Sequence, residues 1–358
     1  MTGAKGYHSY RGRESKLKIF LAILLCLVIL AAAAFIVLQE HIVFDERGVP
    51  HLEIPWQQEE PDPAPLEAEA PEAPELDLII QEPPGPPAVY AFSLASGPVT
   101  RANWTATAGG ALLSSAVPYN AVAVTLKDAA GKVYYDSGAA LPQAVKVKKD
   151  TAEVLAEIAG EEKSLVSIAR LSCLLDPVTA RVNVTDMGLK NTSGYAFYDG
   201  KNHTWLDPAK ARTVEFLTAL ALEAADMGFD ELLLTDVSYP TEGKVHKIAY
   251  TGEEVLSDNV AALLQALKTA LEPYEILLSI ELPEAVLATG PDETAGLDLN
   301  KIAPLVDRVY AVTEPAMAET LGAAVKAVSE TTDFVPELAL EDQAAEGKSC
   351  LILPQGAA

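Results

Sequence analysis

The stretch from Trp205 to Pro240, WLDPAKARTVEFLTALALEAADMGFDELLLTDVSYP, restricts the fold more than any other part of the chain. It predicts one helix, one tight turn and one buried strand. Asp207 suits the N-cap and Pro208 the first helical position, which opens a helix over 208–228. Val214, Leu217, Ala221 and Ala224 repeat at helical spacing, with Arg212, Glu215, Glu223 and Asp226 on another face. Gly228 suits a left-handed C-cap. Leu232, Leu233 and Leu234 then form an apolar run that turns polar at Thr235 and Asp236, before Tyr239 and Pro240. A strand covered on both faces and polar at its C-terminal end is what a parallel barrel places around its working face.

The rest of the chain fits that pattern only after its first 88 residues. Residues 1–18 are basic, and residues 19–38, IFLAILLCLVILAAAAFIVL, carry no charge. That length spans a bilayer. Basic residues before it, with Glu40, Asp45 and Glu46 after it, predict a single-pass anchor in the cell membrane with a cytoplasmic tail and an extracytoplasmic C-terminal domain. A cleaved signal peptide is the rival reading, since Ala31 to Ala34 supply small residues, but Phe35 to Leu38 prolong the apolar run past them. Residues 39–88 form an acidic, Pro-rich tether without the apolar content for a core. The formal net charge is −25, and no basic cluster follows residue 18. Nucleic-acid binding is thereby disfavoured.

Residues 89–358 are long enough for a core of their own. They hold two cysteines, Cys173 and Cys350, in separate apolar runs, with no disulfide or zinc spacing. Strands are expected near 89–95, 120–127, 164–173, 231–237, 276–282, 307–313, 333–340 and 349–354. The clearest further helices are 151–160, 258–272 (capped by Ser257) and 316–329. Alternation of this kind favours a TIM-type (β/α)8 barrel, with an open doubly wound sheet as the alternative. No G-x-G-x-x-G or phosphate-loop motif indicates a nucleotide, no cofactor is implied, and the histidines are too scattered for a metal.

In a barrel the polar strand ends converge. They supply Lys127 and Asp128 on strand two, Arg170 on strand three, Asp236 and Tyr239 on and after strand four, and Glu281 on strand five. Thr313 and Glu314 end strand six, and Asn202, His203 and Trp205 are expected on the rim. Two carboxylates on neighbouring strands suit glycoside hydrolysis. Glu281 is the acid/base candidate and Asp236 the candidate nucleophile. Trp205 and Tyr239 could stack on sugar rings, while Lys127, Asp128 and Arg170 could hold hydroxyls. Each also has a plain reading as a packed or ion-paired residue, and regular strand alternation faces Asp236 away from Thr235.

Several stretches resemble the bacterial family described as putative glycoside hydrolases with a (β/α)8 barrel. These are NAVAVTLKDAAGKVYYDS (120–137), SIARLSCLLDP (167–177), residues 205–240 and LLSIELP (277–283). The resemblance implies a barrel related to sugar-hydrolysing enzymes, and Glu281 stands where the family carries an acid. This chain departs from the pattern on two strands. Thr125 stands where the family has an Asp. On strand four Thr235 holds the acid's place, Asp236 is displaced by one residue, and Ser238 replaces an Arg. The expectation is therefore twofold: a membrane-anchored hydrolase of an envelope or external polysaccharide, or a catalytically inactive barrel of the same shape that binds carbohydrate or serves as an envelope scaffold.

Overall fold

The computed structural model describes residues 42–44, 50–52, 86–113 and 117–354. The chain divides into two compact units, 1–79 and 80–358. Of the first unit, an antiparallel ribbon of Ile42–Phe44 with Pro50–Leu52 is described. It falls within the stretch read as a tether. The apolar run 19–38 lies outside the described residues. Among the described residues, no helix is long and apolar enough to cross a membrane.

The second unit is a closed barrel of eight parallel strands. They are β1 (Tyr90–Ser93), β2 (Ala121–Lys127), β3 (Val166–Ser172), β4 (Glu231–Thr235), β5 (Leu277–Glu281), β6 (Arg308–Val312), β7 (Asp333–Leu338) and β8 (Cys350–Ile352). Each pairs with its neighbour in sequence, and β8 closes on β1 through Leu351 opposite Ala91. All eight expected strands are present, and the open-sheet alternative is excluded.

The longer helices are α1 (Arg101–Leu112), α2 (Thr151–Ala159), α3 (Ala211–Asp226), α4 (Leu256–Leu271) and α5 (Ala318–Val328). On α4 the face Val260, Leu263, Leu264, Leu267 and Leu271 is wholly buried, as its spacing requires. Two helix starts differ from expectation. α3 begins after Lys210, because the Asp207 carboxylate is buried and accepts from Thr251 Oγ1 at 2.6 Å and from the Ala209 amide. It anchors a preceding turn rather than the helix. α4 begins at Leu256, so Ser257 lies inside it. The sequence reading also missed α1, whose Thr- and Gly-rich sequence has no apolar stripe; Thr100 and Asn103 cap it reciprocally.

Strand alternation sorts the barrel into an outer core under the helices and an inner stack. Ala91, Ala121, Ala123, Ile168, Leu233, Tyr310, Val335 and Leu351 meet inside. At the N-terminal end of this stack sits a buried polar network. Glu231 accepts from Arg308 Nη1, from Ser279 Oγ at 2.6 Å and from the Tyr310 hydroxyl at 2.8 Å. Arg308 Nη2 also donates to the Pro87 carbonyl, which fixes the entering chain to that end of the barrel. Asn120 links β1 to β2 by accepting from the Tyr90 amide and donating to Ala88 O.

Two glycines are dictated by close approach. Gly131 has φ +72, and a Cβ there would lie 2.4 Å from Asp176 Oδ1. Gly228 has φ +86, and its Cβ would meet Ala159 O at 2.5 Å.

Candidate active site

The inward-facing series Thr125, Arg170, Thr235, Glu281, Val312 and Glu337 ends at the C-terminal mouth of the barrel. The register places Thr125 opposite Arg170 and Val312 opposite Glu337. Arg170 is the cation of this layer. Its Nη2 donates to Glu281 Oε2 at 2.5 Å and lies 3.4 Å from Glu337 Oε2. Glu281 is about one-third exposed, whereas the Glu337 side chain is fully buried. Burial, followed by the neighbouring Glu281 carboxyl, pushes the Glu337 carboxyl up to about 8 against the opposing pull of Arg170.

Asp236 enters the same layer by a route that strand alternation does not predict. The strand stops at Thr235, and Asp236 has φ +52. That left-handed conformation is uncommon for a non-glycine residue. It breaks the alternation and brings the carboxylate back over the barrel. Asp236 Oδ2 accepts from Ser172 Oγ at 2.6 Å, and its charge acts on Arg170. The opposed facing expected of a one-residue shift is thus corrected by the backbone at this residue.

Asp236 and Glu281 line one open cleft of about 200 Å³, together with Ser238, Pro283, Glu284 and Val312. Thr313, from the end of β6, donates to Glu284 at 2.6 Å. Larger clefts of about 340 and 520 Å³ lie against α3 and against α5 with β7 and β8, away from the strand-end acids.

None of the five predicted binding residues lines this cleft: Arg170 reaches it only through its pairing with Glu281, and the other four are engaged elsewhere. Lys127 is buried; its Nζ donates to Ser172 O at 2.6 Å and pairs with Asp176 Oδ2 at 3.2 Å. A register irregularity between Thr125 and Lys127 accompanies this placement. Asp128 accepts from the Ala130 and Lys132 amides and the Tyr134 hydroxyl, so its carboxylate organises the turn after β2. Tyr239 is 1 % exposed and meets Tyr250 edge-on, so neither face is free for a sugar ring. Trp205 is half-buried against the core, and its indole N–H donates to Asp199 at 3.0 Å. His203, partly exposed, lies 3.5 Å from the same Asp199.

The loop after β3 and the loop after β4 are joined by a short antiparallel ribbon, Lys190–Asn191 with Ile248–Ala249. Tyr195, Tyr198 and Tyr250 are exposed on and beside it. Among the described residues, no cluster of His, Cys, Asp and Glu is arranged to hold a metal ion.

Glu337 was not among the sequence candidates. The signal was present: Val335 and Glu337 share strand parity in DFVPEL, and Glu337 sits near the end of its strand as Glu281 does. Pro336 between them makes this run read poorly as a central strand.

Residues 112–332, more than half of the chain, match the family described as "putative glycosyl hydrolase domain". Among solved structures, the chain is similar to a cycloisomaltooligosaccharide glucanotransferase of a Paenibacillus species, solved with cycloisomaltoheptaose. The two are 13 % identical over 71 % of this chain and 38 % of that one, with a TM-score of 0.50. This likeness is one of fold, and the chain spans well under half of that enzyme. The glycoside hydrolase domain of PgaB (BpsB) from Bordetella bronchiseptica is 13 % identical over 71 % of this chain and 84 % of that one, with a TM-score of 0.49. A hypothetical protein from Ruminiclostridium thermocellum ATCC 27405 is 25 % identical over 54 % of this chain and 96 % of that one, with a TM-score of 0.43. No curated protein matches the chain.

Proposed function

Because the chain belongs to the family described as "putative glycosyl hydrolase domain", we propose that its barrel hydrolyses a glycosidic bond, with Glu281 as acid/base and Asp236 as its carboxylate partner. The observation that carries this reading is the left-handed Asp236, whose carboxylate lines the same cleft as Glu281. Backbone strain of that kind persists where the surrounding structure holds it, and it gathers at working sites. Two carboxyls across an open cleft are what glycoside hydrolysis requires. Arg170 offsets their charge. Lys127 and Asp128 serve the scaffold in this reading. The exposed rings of Tyr195 and Tyr198 replace Trp205 and Tyr239 as stacking surfaces for the sugar.

The inactive carbohydrate-binding barrel has support of its own. Thr125 and Thr235 stand at the places of two family acids, and both remaining acids are engaged, Glu281 by Arg170 and Asp236 by Ser172. A glycan panel scored for both binding and turnover separates the two readings. Hydrolysis by the parent chain, abolished in Asp236→Asn, is the expected result. Binding without turnover, unchanged in Asp236→Asn, favours the inactive barrel.

The substrate proposed is an envelope or external polysaccharide, reached from a single-pass anchor at residues 19–38. The basic flank and the uncharged apolar run motivate this placement. Protease added to intact cells should release the barrel by cutting within the Pro-rich tether. Full protection of the C-terminal unit overturns the anchored topology.

A further inference from the structure

We propose that Glu337 is a positioning residue that shares one proton with Glu281, so that the two carboxyls act as a single acid in the barrel mouth. This rests on the hydrolytic reading of Glu281 and adds the source of its proton. The geometry sets a specific problem. Arg170 donates to Glu281 at 2.5 Å. In that pairing Glu281 is an acceptor, whereas a leaving group needs a donor. Glu337 lies on the other side of the same guanidinium nitrogen, at 3.4 Å. Its side chain is fully buried, and its Oε1 meets no donor. Within hydrogen-bond reach is the carboxyl of Glu281. Two carboxylates are both acceptors, so they can bond only when one of them carries a proton.

The surroundings permit one negative charge on the pair and oppose two. From β3 comes Arg170, the cation of the layer, and from the end of β4 comes Asp236, a third carboxyl whose charge acts on Arg170. From β6, Tyr310 is buried and directs its hydroxyl to Glu231; at the level of Glu337, β6 and β8 present Val312 and Leu351. One cation thus faces three carboxyls, and the most buried of them is the one held protonated, up to about 8. Because one Nη2 serves both glutamates, Arg170 can pair with whichever of them is ionised. The tautomer with the proton on Glu281 is the general acid. When the glycosidic carbon–oxygen bond breaks, that proton goes to the leaving oxygen, and the pair is left doubly charged against Arg170. The water that completes hydrolysis gives its hydroxyl to the sugar carbon, and its proton goes back to the pair, directly where Asp236 attacks the sugar and by way of Asp236 and solvent where Asp236 activates the water.

The test reads the protonated carboxyl directly, by infrared difference spectroscopy of the full chain between neutral and alkaline pH. The expected result is an acid carbonyl band at neutral pH that vanishes on titration through about 8 and is absent in Glu337→Gln. Where the parent turns over a glycan, the alkaline limb of its pH–rate profile should move at least about tenfold in proton concentration toward acid in Glu337→Gln, since Glu281 then keeps only Arg170. If Glu337→Gln fails to fold, Glu281→Gln at the more exposed position decides. It must displace the band, because the acid has lost its carboxylate partner. No band in the parent, the same band in Glu337→Gln, an unmoved pH limb, or an undisplaced band in Glu281→Gln each overturn the proposal. Absence of turnover on every glycan counts against the hydrolytic reading, while the band still decides whether the proton is shared.

Discussion

Arg308→Met will cost the barrel about 3–5 kcal/mol, one of the largest losses available to a single substitution in this chain. Glu231 is wholly enclosed and is held by three donors: Arg308, Ser279 and Tyr310. Removing the guanidinium leaves the carboxylate with two neutral donors and no opposite charge, inside a stack of apolar side chains. It also frees the Pro87 carbonyl, which Arg308 holds at the entry to the unit. The cost comes from the charge left behind more than from the pair itself, because burying both ions was expensive in the first place. The double replacement Glu231→Leu with Arg308→Met should therefore be less damaging than Arg308→Met alone, a coupling that a double-mutant cycle measures. Chemical denaturation provides the readout: the midpoint should fall at constant slope. A single variant within about 0.5 kcal/mol of the parent would show that this network does not support the fold.

The same residues show how far the sequence could be read. The strands were legible because each is a short apolar run bounded by polar or turn residues, and four helices were legible from their periodicity. Asn120, Asp128, Gly131 and Glu231 all lie within the stretches that carry the family resemblance, but their work is structural. Asn120 fastens β1, Asp128 holds a turn, Gly131 admits Asp176, and Glu231 anchors the inner stack. Lys127 shows why strand position alone misleads. The loop after β3 folds back and brings Asp176 to its ammonium, and nothing local to Lys127 announces that contact. Asp236 fails for another reason. Alternation assumes extended backbone, and a left-handed Asp after the last strand residue is a property of the folded loop. Glu337 needed only parity, but parity had to be trusted through Pro336.

Glu281→Gln is expected to lower glycan hydrolysis by about 10²–10⁴-fold while leaving sugar binding in place. The amide keeps the shape of the acid and can still occupy the space beside Arg170. It cannot give a proton to the leaving oxygen, which is the step for which this position has the best placement: the end of β5, about one-third exposed, lining the cleft with Asp236. Asp236→Asn should lose turnover for a different reason, since the carboxylate across the cleft is needed either to attack the sugar carbon or to activate water. The product anomer, followed early in the reaction, then separates these roles. Retention assigns attack to Asp236, and inversion assigns it to water. Tyr198→Ala supplies the contrast, because loss of a stacking surface should weaken binding and leave turnover of bound substrate largely intact. If Glu281→Gln hydrolyses at the parental rate, Glu281 is not the acid. The assignment would then pass to Glu284, the remaining carboxyl that lines the cleft.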